Sequence, residues 1–159
     1  MTQETGMQAR GAVPYLTVRD GDAAIEFYKR AFGATELSRA PAPDGKKLMH
    51  AAVEINGGIV MLSDDFPEFS GGQANTPEAF GGSPVTIHLQ LDDVDPVWRR
   101  AVEAGATVSQ PLEDQFWGDR YGQLQDPFGH AWALGQHVED VPPDEMRRRA
   151  EAAFSQMKR

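Results

Sequence analysis

The chain has 159 residues, 40% of them hydrophobic, and its 15 Lys and Arg against 24 Asp and Glu give a formal charge of −9. That length suits one domain of ordinary size, and the acidic balance excludes nucleic acid and anionic membrane surfaces as expected partners. The absence of cysteine removes disulfides, thiolate nucleophiles and cysteine-ligated zinc. Residues 1–11 read as a flexible N-terminus without the apolar stretch of a secretory signal, so a cytoplasmic location is expected.

The pattern from residue 18 to 35 repeats at 91 to 107, with one extra residue, Phe32, in the first copy. Each copy reads as strand, acidic cap, helix, Gly-Ala-Thr, strand. In the first, a strand at 13–18 leads to Asp20 as N-cap, and Ile25, Tyr28, Ala31 and Phe32 recur at helical spacing before Gly33. Strands follow at 35–40, 48–55 and 58–62, the last two joined by Asn56-Gly57, a dipeptide that favours a tight hairpin. Residues 64–83, rich in Gly, Pro, Ser and Asp, form a linker or lid. The second copy has strands at 85–91, 107–112, 121–125 and 130–135, with Asp93 as cap, Val94, Val97, Trp98 and Ala101 on the helix, and Gly105 behind it. Pro142-Pro-Asp-Glu145 opens a terminal helix over 142–159, with Met146, Ala150, Ala153, Phe154 and Met157 on one stripe and Lys158-Arg159 closing it.

The expected fold is α+β: one domain over 12–141 made of tandem βαβββ modules at 12–63 and 84–137, followed by the terminal helix. This duplicated pattern, Ala-Ala-Ile-Glu-Phe-Tyr-Lys-Arg-Ala-Phe-Gly-Ala at 23–34, Phe-Trp-Gly-Asp-Arg-Tyr-Gly at 116–122 and Asp-Pro-Phe-Gly-His at 126–130 resemble the vicinal oxygen chelate superfamily. That group includes glyoxalase I, extradiol dioxygenases, fosfomycin-resistance enzymes and bleomycin-binding proteins, and the chain looks most like its PhnB-like glyoxalase/bleomycin-resistance branch. The resemblance implies that each module curls into a cup. In metal-dependent members the ligands come from inward positions of the first and last strands. Carried over, those positions are Val13, Met61, Thr86 and Ala133, of which only the threonine hydroxyl offers a donor. No metal or other cofactor is expected.

Strand alternation gives a parity test for other candidates. Tyr15 and Thr17 share the phase of Val13, His50 shares that of Glu54, and His88 and Gln90 share that of Thr86. His50 and Glu54 lie four residues apart on one strand, about 13 Å, too far to grip one ion together; a His50/His88 pair is the remaining ligand set. Trp117, Asp119, Tyr121 and Gln123 fall on one phase; by the resemblance they line a substrate cavity, whereas the plain alternative is a strand edge with an Asp119–Arg120 ion pair. Trp132 and Leu134 are expected beneath the second helix against Trp98 or Val102, His130 as a cap on a loop carbonyl, and His137 in a local pair with Glu139.

No serine lies in a nucleophile elbow and no glycine-rich run opens a helix as a phosphate loop would. The leading expectation is a protein that binds a small organic molecule without a catalytic metal, in a pocket lined by Tyr15, His50, Met61, His88, Trp117, Tyr121 and Gln123. The alternative is a lyase, isomerase or dioxygenase of the same superfamily, with His50 or His88 as general base or as an unconventional metal ligand. A homodimer is expected, its cups closing within one chain or by exchange of modules between chains.

Overall fold

The computed structural model describes residues 8–157. Residues 1–7 of the expected N-terminal arm, and Lys158 and Arg159 at the end of the terminal helix, lie outside the described residues. In the first module β1 (Tyr15–Val18), α1 (Gly21–Phe32), β2 (Thr35–Pro41), β3 (Leu48–Ile55) and β4 (Gly58–Asp64) build a four-stranded sheet in the order β1-β4-β3-β2. A connector follows, carrying a 3-10 turn at Pro67–Phe69 and the short helix α2 (Pro77–Phe80). In the second module β5 (Thr86–Gln90), α3 (Val94–Ala104), β6 (Thr107–Asp114), β7 (Asp119–Gln125) and β8 (Ala131–His137) repeat the arrangement as β5-β8-β7-β6. In each sheet the outer pair, β1 with β4 and β5 with β8, is parallel, and the other pairs are antiparallel. The chain ends in α4 (Pro143–Met157). Among the described residues no helix is long and apolar enough to cross a membrane.

The helices start where capping permits. Asp20 is extended and its carboxylate accepts from the Ala23 amide at 3.0 Å, while Gly33, at φ 67°, takes the left-handed conformation that ends α1. Each module also supplies a cap from its last strand: Asp64 accepts from the Gly21 amide at 2.9 Å, and Gln136 accepts from the Val94 amide at 2.9 Å. Asp93 makes no side-chain cap of its own. Asp64 also accepts from the Leu48 amide at 2.7 Å, so it belongs to β4 and not to the connector.

One face of each sheet packs on the helices. Leu16, Val18, Ala51, Val53 and Leu62 from the first module join Leu89, Leu124, Trp132 and Leu134 from the second in a single core around α1; each large apolar side chain buried there contributes roughly 1.5–3 kcal/mol. Trp132 packs on α1, 4.7 Å from the Phe32 ring and 5.4 Å from Tyr28. The Trp98 ring packs against the same core over Gly122: a Cβ there would stand 2.6 Å from it, so Gly122 is the space into which it fits. The modules are further joined at Asp126, which accepts from Tyr28 Oη at 2.6 Å, from Trp132 Nε1 at 2.9 Å and from the Phe128 and His130 amides.

The opposite faces point away from the helices. A bulge fixes which residues of β3 reach them: Pro41 pairs with Leu48 and Ala40 with His50, leaving Met49 as the extra residue. Leu48 is therefore buried and His50 outward, although their parity is the same. At the far end, Asn56 and Gly57 both have positive φ, 51° and 83°, the geometry of a tight hairpin turn between β3 and β4.

Candidate functional site

The outward face of the first sheet carries Tyr15, Thr17, Met61, His50 and Glu54. Tyr15 pairs in register with Met61, and Met61 with Ala52. Across them the Tyr15 hydroxyl lies 3.0 Å from His50 Nδ1, with the rings 5.7 Å apart. Tyr15 is 52% exposed, a large aromatic surface left open to solvent. Val13 precedes β1 and is not part of a strand.

On the second sheet the arrangement centres on Gly135, whose register partners are Gln90 on β5 and Tyr121 on β7. Its missing side chain leaves room that the His88 and Gln90 side chains occupy: a Cβ there would stand 3.0 Å from His88 Cε1 and 3.3 Å from Gln90 Oε1. His88 Nε2 lies 2.8 Å from Gln90 Oε1, and the His88 ring runs nearly parallel to Tyr121, 17° between planes at 5.9 Å. Gln123 Nε2 donates to the Tyr121 hydroxyl at 2.9 Å. Trp117 stands in the turn before β7, not on the strand, and meets Tyr121 edge-on at 5.6 Å. The face thus offers flat rings, two amides and an imidazole at fixed spacing, which suits orientation of a ring-bearing ligand. The seven expected binding residues divide between two sheets: Tyr15, His50 and Met61 on the first, His88, Trp117, Tyr121 and Gln123 on the second. Gly135 and Gln90 complete the second group and were not among them; the single glycine in the apolar run of β8 was the available signal.

The family model of the Glyoxalase/Bleomycin resistance protein/Dioxygenase superfamily matches residues 11–134. The chain belongs to this superfamily. An uncharacterized protein of Mycobacterium tuberculosis is 58% identical over 134 residues, 84% of this chain and 78% of that protein. Among solved structures, TioX from Micromonospora sp. ML1 is 33% identical with a TM-score of 0.62, covering 82% of this chain and all of that one. The PhnB protein of Bacillus cereus shares the fold at 16% identity and a TM-score of 0.59, covering 80% of this chain and 99% of that one.

Metal-dependent members of the superfamily raise the question of a divalent ion here. Met61, Thr86 and Ala133 present a thioether, a hydroxyl and a methyl on the outward faces, a donor set that does not fit a hard or borderline divalent ion. His50 and His88 lie on separate sheets, one against Tyr15, the other against Gln90 and Tyr121. Among the described residues no three His, Asp or Glu side chains converge as ligands.

The remaining charged groups are bound differently from the sequence-based expectation. Arg120 bonds Asp95 of α3 at 3.1 Å and Asp114 at 3.2 Å, not Asp119. Asp119 instead faces His137 Nδ1 at 3.1 Å, whose Nε2 lies 2.6 Å from Asp140; Glu139, the expected partner, pairs with Arg149. The cause is strand alternation, which turns Arg120 toward α3 and Asp119 outward beside its register partner His137. Asp140 and then Asp119, by hydrogen bonding, hold the His137 imidazole above its ordinary value. His130 does meet a carbonyl, but it is that of Thr17 on strand β1, at 2.9 Å across the module boundary, and not a loop carbonyl.

Proposed function

We propose that this superfamily member binds a small organic molecule on its outward sheet faces, without a catalytic metal, and that binding is its biochemical act. The observation that carries the reading is the ring-and-amide group around Gly135: side chains suited to hold a flat molecule stand where the donor set for an ion is wanting. A second copy of the chain is proposed to cover these faces in a homodimer, with the half-exposed rings of Tyr15 and Trp117 at the interface rim. The test is a fragment screen of ring-bearing compounds by NMR on labelled protein in chelator-treated buffer. Hits that shift Trp117, Tyr121, His88 or Tyr15 support the reading. Hits that need added divalent metal, or that shift only the groove between α3 and β6 lined by Trp98, Val102 and Leu112, overturn it.

The hydrogen bond between Tyr15 and His50 favours a second reading, an enzyme in which His50 moves a proton at a bound substrate. Under that reading His50→Ala abolishes turnover; under the first it only weakens binding.

A further inference from the structure

The eight strands contain only two basic residues of the Lys or Arg type, Arg39 and Arg120, and both point to the helix side. Arg39 pairs in register with the buried Ala51 and reaches Asp22 and Glu36, each at 2.7 Å. Arg120 pairs with Gln136, which caps α3, and its guanidinium is held by Asp95 and Asp114. The outward faces thus hold rings, amides, hydroxyls and imidazoles, and their carboxylates include Glu54, Glu113 beside its register partner Tyr121, and Asp119, which faces His137. Ring faces carry negative electrostatic potential and attract cations, and a negative protein surface further disfavours an approaching anion. Arg10 stands on the N-terminal segment and, with His88, lines a cavity of about 470 Å³ between that segment and β5.

We propose that the second-sheet face takes an uncharged or cationic flat ring, such as an aromatic alcohol or amine, and discriminates against the matching carboxylate or phosphate. His88 and Tyr121 supply parallel ring surface and Trp117 an edge; Gln90 and Gln123 serve polar substituents, and Glu113 beside Tyr121, with Asp119, favours positive charge. This inference rests on the binding reading above and adds the charge of the ligand.

The test uses the full chain at neutral pH and three probes on one ring: 2-naphthylmethylamine, 2-naphthalenemethanol and 2-naphthoate, with affinities read by calorimetry and Trp fluorescence. The expected result is that amine and alcohol bind at least about tenfold more tightly than naphthoate, a difference of about 1.4 kcal/mol or more. Thr86→Lys, at an exposed position of β5, is expected to narrow or reverse that preference. Naphthoate binding as tightly as the amine overturns the inference while leaving the binding reading in place. If no naphthalene binds but the fragment screen gives hits on this face, the choice of ligand is wrong and the binding reading stands; if neither experiment finds a ligand, both fall.

Discussion

The Tyr28 hydroxyl donates to the Asp126 carboxylate at 2.6 Å, and that bond crosses from the helix of the first module to the β7–β8 turn of the second. Burial pushes the Tyr28 phenol well above its usual value, and the neighbouring carboxylate pushes it the same way. Asp126 draws its other donors from its own module, Trp132 Nε1 and two amides. Tyr28→Phe removes the intermodular donor while keeping the ring. It is expected to cost about 1.5–3 kcal/mol, the range for a hydrogen bond to a charged group, read as a lower urea midpoint with an unchanged slope.

Gly122 and Gly135 separate stability from binding. Neither has positive φ, so an added methyl acts through space alone. At Gly122 it would meet Trp98 at 2.6 Å and the Leu112 backbone at 2.9 Å, and Gly122→Ala is expected to destabilise by about 1–3 kcal/mol through overpacking. At Gly135 the neighbours are the ends of the His88 and Gln90 side chains, which swing aside. Gly135→Ala is expected to change the midpoint by less than about 1 kcal/mol while weakening ligand binding severalfold. Thermal unfolding and ligand titration of the two variants check the contrast.

His137 ties β8 to Asp119 on β7 and to Asp140 on the path to α4. Its folded value lies above the ordinary 6.5, so the protonated form is the one that folding favours. Its contribution is fully present below 6.5 and is lost as pH rises through the higher folded value. The stability gap between the native chain and His137→Gln is therefore expected to shrink as pH rises through that window. Denaturation series at several pH values, with NMR titration of the imidazole, check the direction.

The terminal helix is held by ions more than by packing. No residue of α4 is buried; Arg149 grips Glu139 at 2.7 Å and the Phe116 carbonyl at 3.2 Å. Arg149→Ala is expected to raise amide exchange across 143–157 while global stability falls by about 1 kcal/mol or less, as for other exposed ion pairs. Exchange mass spectrometry resolves the two effects.

The duplicated fold was legible because its signals are local: caps at Asp20 and Asp93, glycines at 33 and 105, alternation along the strands and a hairpin dipeptide at 56–57. Parity also placed His50, His88, Tyr121 and Gln123 on outward faces. What failed depended on contacts between elements. Trp132 meets Phe32 of α1, in the other module, and Arg120 turns to α3 instead of its chain neighbour. The bulge at Met49 flips a phase that alternation alone cannot reveal. Gly135 was missed because its role is the space it leaves, which depends on side chains from another strand.

The central claim is that the outward faces hold an organic molecule without a metal. It is tested most directly by elemental analysis of protein purified without an affinity tag, combined with native mass spectrometry and with ligand titration before and after chelator treatment. The account predicts substoichiometric divalent metal and a ligand affinity that the chelator leaves unchanged. One equivalent of bound metal, with binding or turnover lost on its removal and restored on its return, would contradict it.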